Sequence, residues 1–299
     1  MKILVLMGVL SHLLVAVLAD SPKYKPIVMW HGMGDSCCNP FSMGYFSKFL
    51  EEQMPTVYIK SLRIGNNSIE DTENGFFMNI NDQVTLACKL IGEDPELKMG
   101  YNALGVSQGG LFLRAVAQRC PSPPMLNLIS LGGPQQGVYG LPHCLYPTHE
   151  ICDYLRRVLN VGAYWSWIQA RFVQAEYWHD PMNEASYQTG SMFLADINNE
   201  LQINTNYSDN LNRLRKLVLV KFTEDTMVQP KDSEWFGFYA PGQASTVLPL
   251  QKTKLYIEDR IGLKSLYESK RLDFLSSPGD HLIFTKDWFI KNIIQKYLT

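Results

Sequence analysis

Apolar residues fall along this chain in two rhythms. Short, almost continuous apolar runs occupy Pro26 to Trp30, Val57 to Ile59, Tyr101 to Val106, Leu126 to Leu131 and Leu217 to Phe222. Between them lie longer stretches in which apolar residues recur at three and four positions. Ser42 to Gln53 carries Phe46, Phe49 and Leu50, Ile80 to Ile91 carries Val84, Ala87 and Leu90, and Leu111 to Arg119 follows the same spacing. The first rhythm predicts buried strands and the second predicts amphipathic helices. A further strand is expected at Lys254 to Ile257, and a closing helix places Phe289, Ile290, Ile293, Ile294 and Tyr297 on one face. Regular alternation of this kind predicts an α/β fold, a mostly parallel central sheet covered by helices on both faces.

Two segments break the alternation. Lys2 followed by the apolar run Ile3 to Leu18 has the build of a signal peptide, with cleavage expected after Ala19. Ser11 and His12 interrupt the run and no basic stop-transfer flank follows, which disfavours a membrane anchor. About 280 residues remain, enough to bury a substantial core as one domain over 20–299. No later segment has eighteen unbroken apolar residues, so no transmembrane anchor is expected. From about 133 to 215 the pattern lapses into loops and aromatic-rich helices, including Tyr164-Trp165-Ser166-Trp167 and Phe172 to Trp178. This reads as an insertion whose aromatics either pack a core or line a ligand groove.

A net charge of −2, with 19% charged residues, describes an ordinary globular surface. It lacks the basic field that neutralises phosphates, so nucleic acid is not expected as a partner. Cys37, Cys38, Cys88, Cys120, Cys144 and Cys152 form an even set behind the leader and read as disulfides, with fifteen pairings open. No zinc-like spacing is present, and neither a metal nor a cofactor is expected. Asn66-Asn67-Ser68 and Asn206-Tyr207-Ser208 are glycosylation sequons, consistent with the secretory route.

The candidate chemistry centres on Gly105-Val106-Ser107-Gln108-Gly109, between a strand and a helix. A serine hydroxyl attacks a carbonyl only if a base takes its proton and donors hold the oxyanion. The glycines of G-x-S-x-G permit the tight turn that lifts the serine above the sheet. In this arrangement the acid and then the histidine follow downstream. His281, in the turn-rich Ser277-Pro278-Gly279-Asp280-His281, is the expected base. Asp225, just beyond Leu217 to Phe222, is the expected acid and Asp232 the reserve, while Asp280 adjoins the histidine. His143, His149 and His179 lie in the insertion and are expected at the surface or in the cap. The backbone N–H groups of Gln108 and of Met33, in His31-Gly32-Met33-Gly34, would form the oxyanion hole. These residues define a serine hydrolase that could act on thioesters or oxygen esters.

Four stretches make the reading more specific: His31 to Pro40 with its adjacent cysteines, Gly105 to Gly110, Asp232 to Tyr239, and Gly279 to Leu282. From about Pro26 to the C-terminus the chain resembles the palmitoyl-protein thioesterases, lysosomal enzymes of the α/β-hydrolase fold that remove fatty acyl groups from cysteine. The resemblance implies a triad of Ser107, Asp225 and His281, with Met33 and Gln108 as oxyanion donors. It implies disulfides Cys37-Cys38, Cys88-Cys120 and Cys144-Cys152, and an insertion that forms an apolar groove for the fatty chain. The implied substrates are S-palmitoylated proteins or peptides and palmitoyl-CoA, met in the lysosome after secretory transport or in the secreted state. Peripheral contact with lipid is also implied.

Overall fold

In the computed structural model, residues 23–140, 159 and 162–299 are described. The expected leader, His143, His149 and the Cys144-Cys152 pair lie outside them. Six strands, β1 (Ile27–Trp30), β2 (Ile59–Ser61), β3 (Tyr101–Val106), β4 (Met125–Leu131), β5 (Lys216–Phe222) and β8 (Leu272–Ser277), form one sheet. Its order is β2-β1-β3-β4-β5-β8 and every pairing is parallel. A two-stranded antiparallel ribbon, β6 (Phe238–Tyr239) with β7 (Val247–Leu248), stands apart from it.

The continuous apolar strands are explained by burial on both faces. Val28, Trp30, Tyr101, Ala103, Leu217 and Leu219 join a cluster with helices α3 (Ile80–Gly92) and α4 (Gln108–Arg119). Their neighbours Ile27, Met29, Leu104, Val218 and Val220 point the other way, onto α1 (Met43–Gln53) and the C-terminal helix. That helix runs over Lys286–Phe289 and continues as a π-helix over Ile290–Leu298, burying Phe289, Ile293 and Ile294.

Chain order places the site. After β1 the chain goes to β2 on one side, then returns to β3 on the other side of β1. Loops leaving the carboxyl ends of β1 and β3 therefore diverge, and a crevice opens between them.

Two expectations change. Lys254 to Ile257 is a helical turn, not a strand: Thr253 caps it by accepting from the Tyr256 N–H, and only Leu255 of the four is buried. The sixth strand is β8, whose Asp273 and partly exposed residues gave it no continuous apolar signature. Helix α2 (Ser68–Phe77) was also not foreseen; the Asn67 side chain caps it by accepting from the N–H groups of Ile69 and Glu70.

Between β4 and β5 lie short helices at Ser166–Gln169, Val173–Glu176, Glu184–Gly190, Leu194–Ile197 and Thr205–Leu211. Arg114 of α4 is fully buried and ties them down, donating to Gln135 Oε1 at 2.8 Å and to Asn198 Oδ1 at 2.9 Å. Glu176 makes a second tie, accepting from Asn79 Nδ2 and the Ile80 N–H, both at 2.9 Å. His179, expected at the surface or in the cap, is buried between the rings of Tyr187 and Phe238. Asn66 and Asn206 are exposed. Among the described residues no helix is long and apolar enough to cross a membrane.

Burial, opposed by the Ile80 hydrogen bond, raises the Glu176 carboxyl to about 8. A carboxyl raised above its unfolded value of about 4.3 holds a proton that the unfolded chain has already lost. Its stabilising contribution is complete below pH ~4.3 and is lost as pH rises through about 8. Urea unfolding at a series of pH values should show Glu176→Gln flattening the decline in stability across this window. The difference in slope should reach up to about 1.4 kcal/mol per pH unit.

Candidate active site

Ser107 occupies the single residue between β3 and α4, with φ 53° and ψ −124°. L-residues rarely adopt that conformation, and holding one there costs on the order of 1–3 kcal/mol. Its neighbours explain how the turn closes. A side chain at Gly105 would run into the Gly109 backbone, and one at Gly109 into the Trp30 carbonyl. The Ser107 N–H donates to the Leu131 carbonyl at 2.8 Å, and its own carbonyl accepts from Gly110 N–H at 2.9 Å.

Three strand ends converge on this serine. His281, beyond β8, brings Nε2 to 2.9 Å from Ser107 Oγ. Its Nδ1 lies 2.5 Å from Oδ2 of Asp225, beyond β5. Gly132, at the end of β4 with φ 64°, leaves room for the imidazole: a Cβ there would meet His281 Cε1 at 3.0 Å. The other carboxylates considered from the sequence are engaged elsewhere. Asp232 pairs with Lys221 Nζ at 2.9 Å, and Asp280 accepts from Thr226 N–H at 2.9 Å and from the backbone, not the ring, of His281.

Asp225 is buried, and its Oδ1 accepts from the N–H groups of Met227 at 2.7 Å and Val228 at 2.8 Å. Burial pushes its carboxyl up, but hydrogen bonds from His281, Glu234 and Val228 and the nearby His281 charge outweigh that. The result is a value of about 2. Asp225, Glu234 and His281 also form a group of metal-ligating types, with atoms within 4.8 Å of one another. Both Asp225 oxygens and both His281 nitrogens are already in hydrogen bonds, so the arrangement could pass a proton along its line and offers an ion little.

The expected oxyanion donors sit on either side of the crevice. The Gln108 N–H belongs to the first turn of α4, where amides lack a partner within the helix. Met33 follows β1, and its Sδ accepts from Gln174 Nε2 at 3.3 Å. The Gln108 side chain is held by Tyr177, whose hydroxyl donates to Oε1 at 2.7 Å. Below this loop Asp71 is fully buried and accepts from Cys37 N–H at 2.8 Å and Ile64 N–H at 2.7 Å, with His31 Nε2 at 3.4 Å. Cys37 and Cys38 are joined, as are Cys88 and Cys120, and no unpaired cysteine remains among the described residues.

Gln174, Tyr177 and Glu234 were not foreseen. The first two lie in the insertion, far from the motifs in sequence. Glu234 stood inside the stretch Asp232 to Tyr239, but a lone glutamate there gave no sign of burial.

A strained serine at the turn after a central parallel strand is the mark of the α/β-hydrolases, and the sheet places this chain among them. Within that class it belongs to the palmitoyl-protein thioesterase family, since the family described as Palmitoyl protein thioesterase matches residues 26–281. It is 54% identical over 278 residues to Palmitoyl-protein thioesterase 1 of Caenorhabditis elegans, covering 93% of each chain. Palmitoyl-protein thioesterase 3 of Dictyostelium discoideum is 36% identical, with 98% of this chain and 97% of that protein covered. Lysosomal thioesterase PPT2 of Bos taurus is 31% identical, over 81% of this chain and 76% of its own length.

Proposed function

We propose that this protein hydrolyses thioesters between long-chain fatty acids, such as palmitate, and cysteine residues of proteins, and also accepts palmitoyl-CoA. The hydrogen-bonded line from Ser107 Oγ through His281 to Asp225, within a member of this family, carries the reading.

Ser107 Oγ attacks the acyl carbonyl carbon as His281 Nε2 takes its proton, and Asp225 stabilises the imidazolium. The negative oxygen of the tetrahedral intermediate is held by the N–H groups of Gln108 and Met33. The C–S bond then breaks. The cysteine leaves readily because a thiol has a pKa of about 8.5, and its sulfur takes up the proton held by the His281 imidazolium, which restores Nε2 as a base. Water, deprotonated by His281, attacks the acyl-Ser107 ester; the C–Oγ bond breaks, His281 returns the proton to Ser107 Oγ and the fatty acid is released.

The fatty chain is assigned to an aromatic shelf beside the Met33 loop. Phe76 faces Gly34, where an added Cβ would meet its ring at 3.3 Å, and Phe77 meets Phe172 edge-on at 6.1 Å between centroids. Phe77 is 57% exposed, so apolar surface is available there. Each methylene buried adds about 0.8 kcal/mol, or about fourfold in kcat/KM if expressed in the transition state.

The leader expected at 1–19, the exposed sequons Asn66 and Asn206, and relatives named as lysosomal thioesterases support secretory transport to the lysosome.

The test is an acyl-chain and leaving-group profile on purified protein. Palmitoyl-cysteine peptide should be hydrolysed with far higher kcat/KM than acetyl-cysteine peptide, and faster than a palmitoyl oxygen ester. A flat chain profile, or strong preference for the oxygen ester, would make the protein a general esterase instead.

A further inference from the structure

Behind Asp225 sits a second buried carboxyl. Glu234, on the short helical turn Lys231–Trp235, is 1% exposed. Its Oε2 accepts from the Phe222 N–H at 2.9 Å, while Oε1 is fully buried with no donor within reach. A carboxyl oxygen of Glu234 lies within 4.8 Å of one of Asp225. Two buried carboxylates this close cannot both be ionised without a large penalty, so one keeps a proton.

The surroundings decide which. Asp225 has two backbone N–H donors and the His281 ring, whereas Glu234 has a single backbone donor. The other charged groups nearby are committed. Lys221 is paired with Asp232, Lys231 Nζ donates to the Thr223 carbonyl, and Asp280 is bound by Thr226. Charge therefore settles on Asp225 and the proton on Glu234.

We propose that Glu234 is a positioning residue, held as a neutral carboxylic acid whose O–H donates to Asp225 and so moderates the charge that His281 feels. The inference rests on the proposed roles of Ser107, His281 and Asp225. Consistent with it, burial first, then the Asp225 hydrogen bond and charge, raise the Glu234 carboxyl to about 10. A carboxylate already accepting one strong hydrogen bond attracts the imidazolium less. The base is then available at lower pH, which suits an enzyme with a good leaving group working in an acidic compartment.

Glutamine mimics the neutral acid, since its amide can donate to Asp225 while its oxygen accepts from Phe222; leucine removes the donor. E234L should lower kcat about tenfold and move the acidic limb of the kcat/KM profile upward by about half a pH unit or more. E234Q should retain the wild-type limb and activity within about threefold. If E234L fails to fold, infrared difference spectra of wild type minus E234Q near neutral pH decide the matter. A protonated-carboxyl band must be present in the wild type and lost in E234Q. Absence of that band, or a downward shift of the limb in E234Q as expected on removing an anion, overturns the proposal. The infrared reading does not depend on turnover, so it remains distinct from a failure of the Ser107 assignment, which retained activity in Ser107→Ala would reveal.

Discussion

Ser107→Ala should fold normally and lose about six orders of magnitude in kcat on palmitoyl thioesters, the scale seen when a serine nucleophile is removed. The loss is this large because the remaining groups act through the serine. Without Oγ, His281 has no proton to take and no acyl-enzyme forms; substrate binding and oxyanion stabilisation alone remain. Folding should survive because alanine and serine meet the same backbone strain at φ 53°. Ser107→Gly provides a control: glycine tolerates that conformation, so this variant should be equally inactive yet more stable than Ser107→Ala, by about 1 kcal/mol in urea unfolding. Retained turnover in either variant would move the nucleophile elsewhere.

Asp225→Asn should cost about 10⁴-fold in kcat, through the tautomer it imposes. Met227 and Val228 N–H groups both point at Oδ1, so the asparagine must place its carbonyl oxygen there. Its NH₂ group then faces His281 Nδ1, which must accept in place of donating. The ring proton moves to Nε2 and points at Ser107, where a base needs a lone pair. The shape of the site hardly changes while its chemistry is inverted. Single-turnover kinetics should place the loss in acylation, and the variant should bind a long-chain thioester as tightly as the wild type.

The sequence revealed this site unevenly, for physical reasons. Strands buried on both faces, such as Ile27–Trp30 and Lys216–Phe222, must be apolar throughout and are conspicuous. Edge strand β8 pairs on one side only, tolerates Asp273, and so did not stand out. Lys254 to Ile257 misled because four residues are too few to separate a two-residue period from a helical turn. Ser107 was legible because a strained turn demands glycines on either side. Asp225 and His281 followed because the fold fixes their order along the chain. Tyr177, Gln174 and Glu234 act by burial and by contacts across 69, 141 and 12 residues of sequence, which no local pattern encodes.

The two tethers from the insertion lie three positions apart: Gln174 reaches the Met33 side chain and Tyr177 reaches Gln108, while Phe172 just before them belongs to the shelf assigned to the fatty chain. The proposed sites for the tail and for the oxyanion thus depend on one short piece of backbone. On this reading, a chain that settles on the shelf should steady the two residues whose amides are proposed to meet the developing negative charge, and a short chain should leave them slack. Selectivity for long acyl groups should then be read as speed as much as affinity. The substrate's inert end would then set the pace at its reactive one.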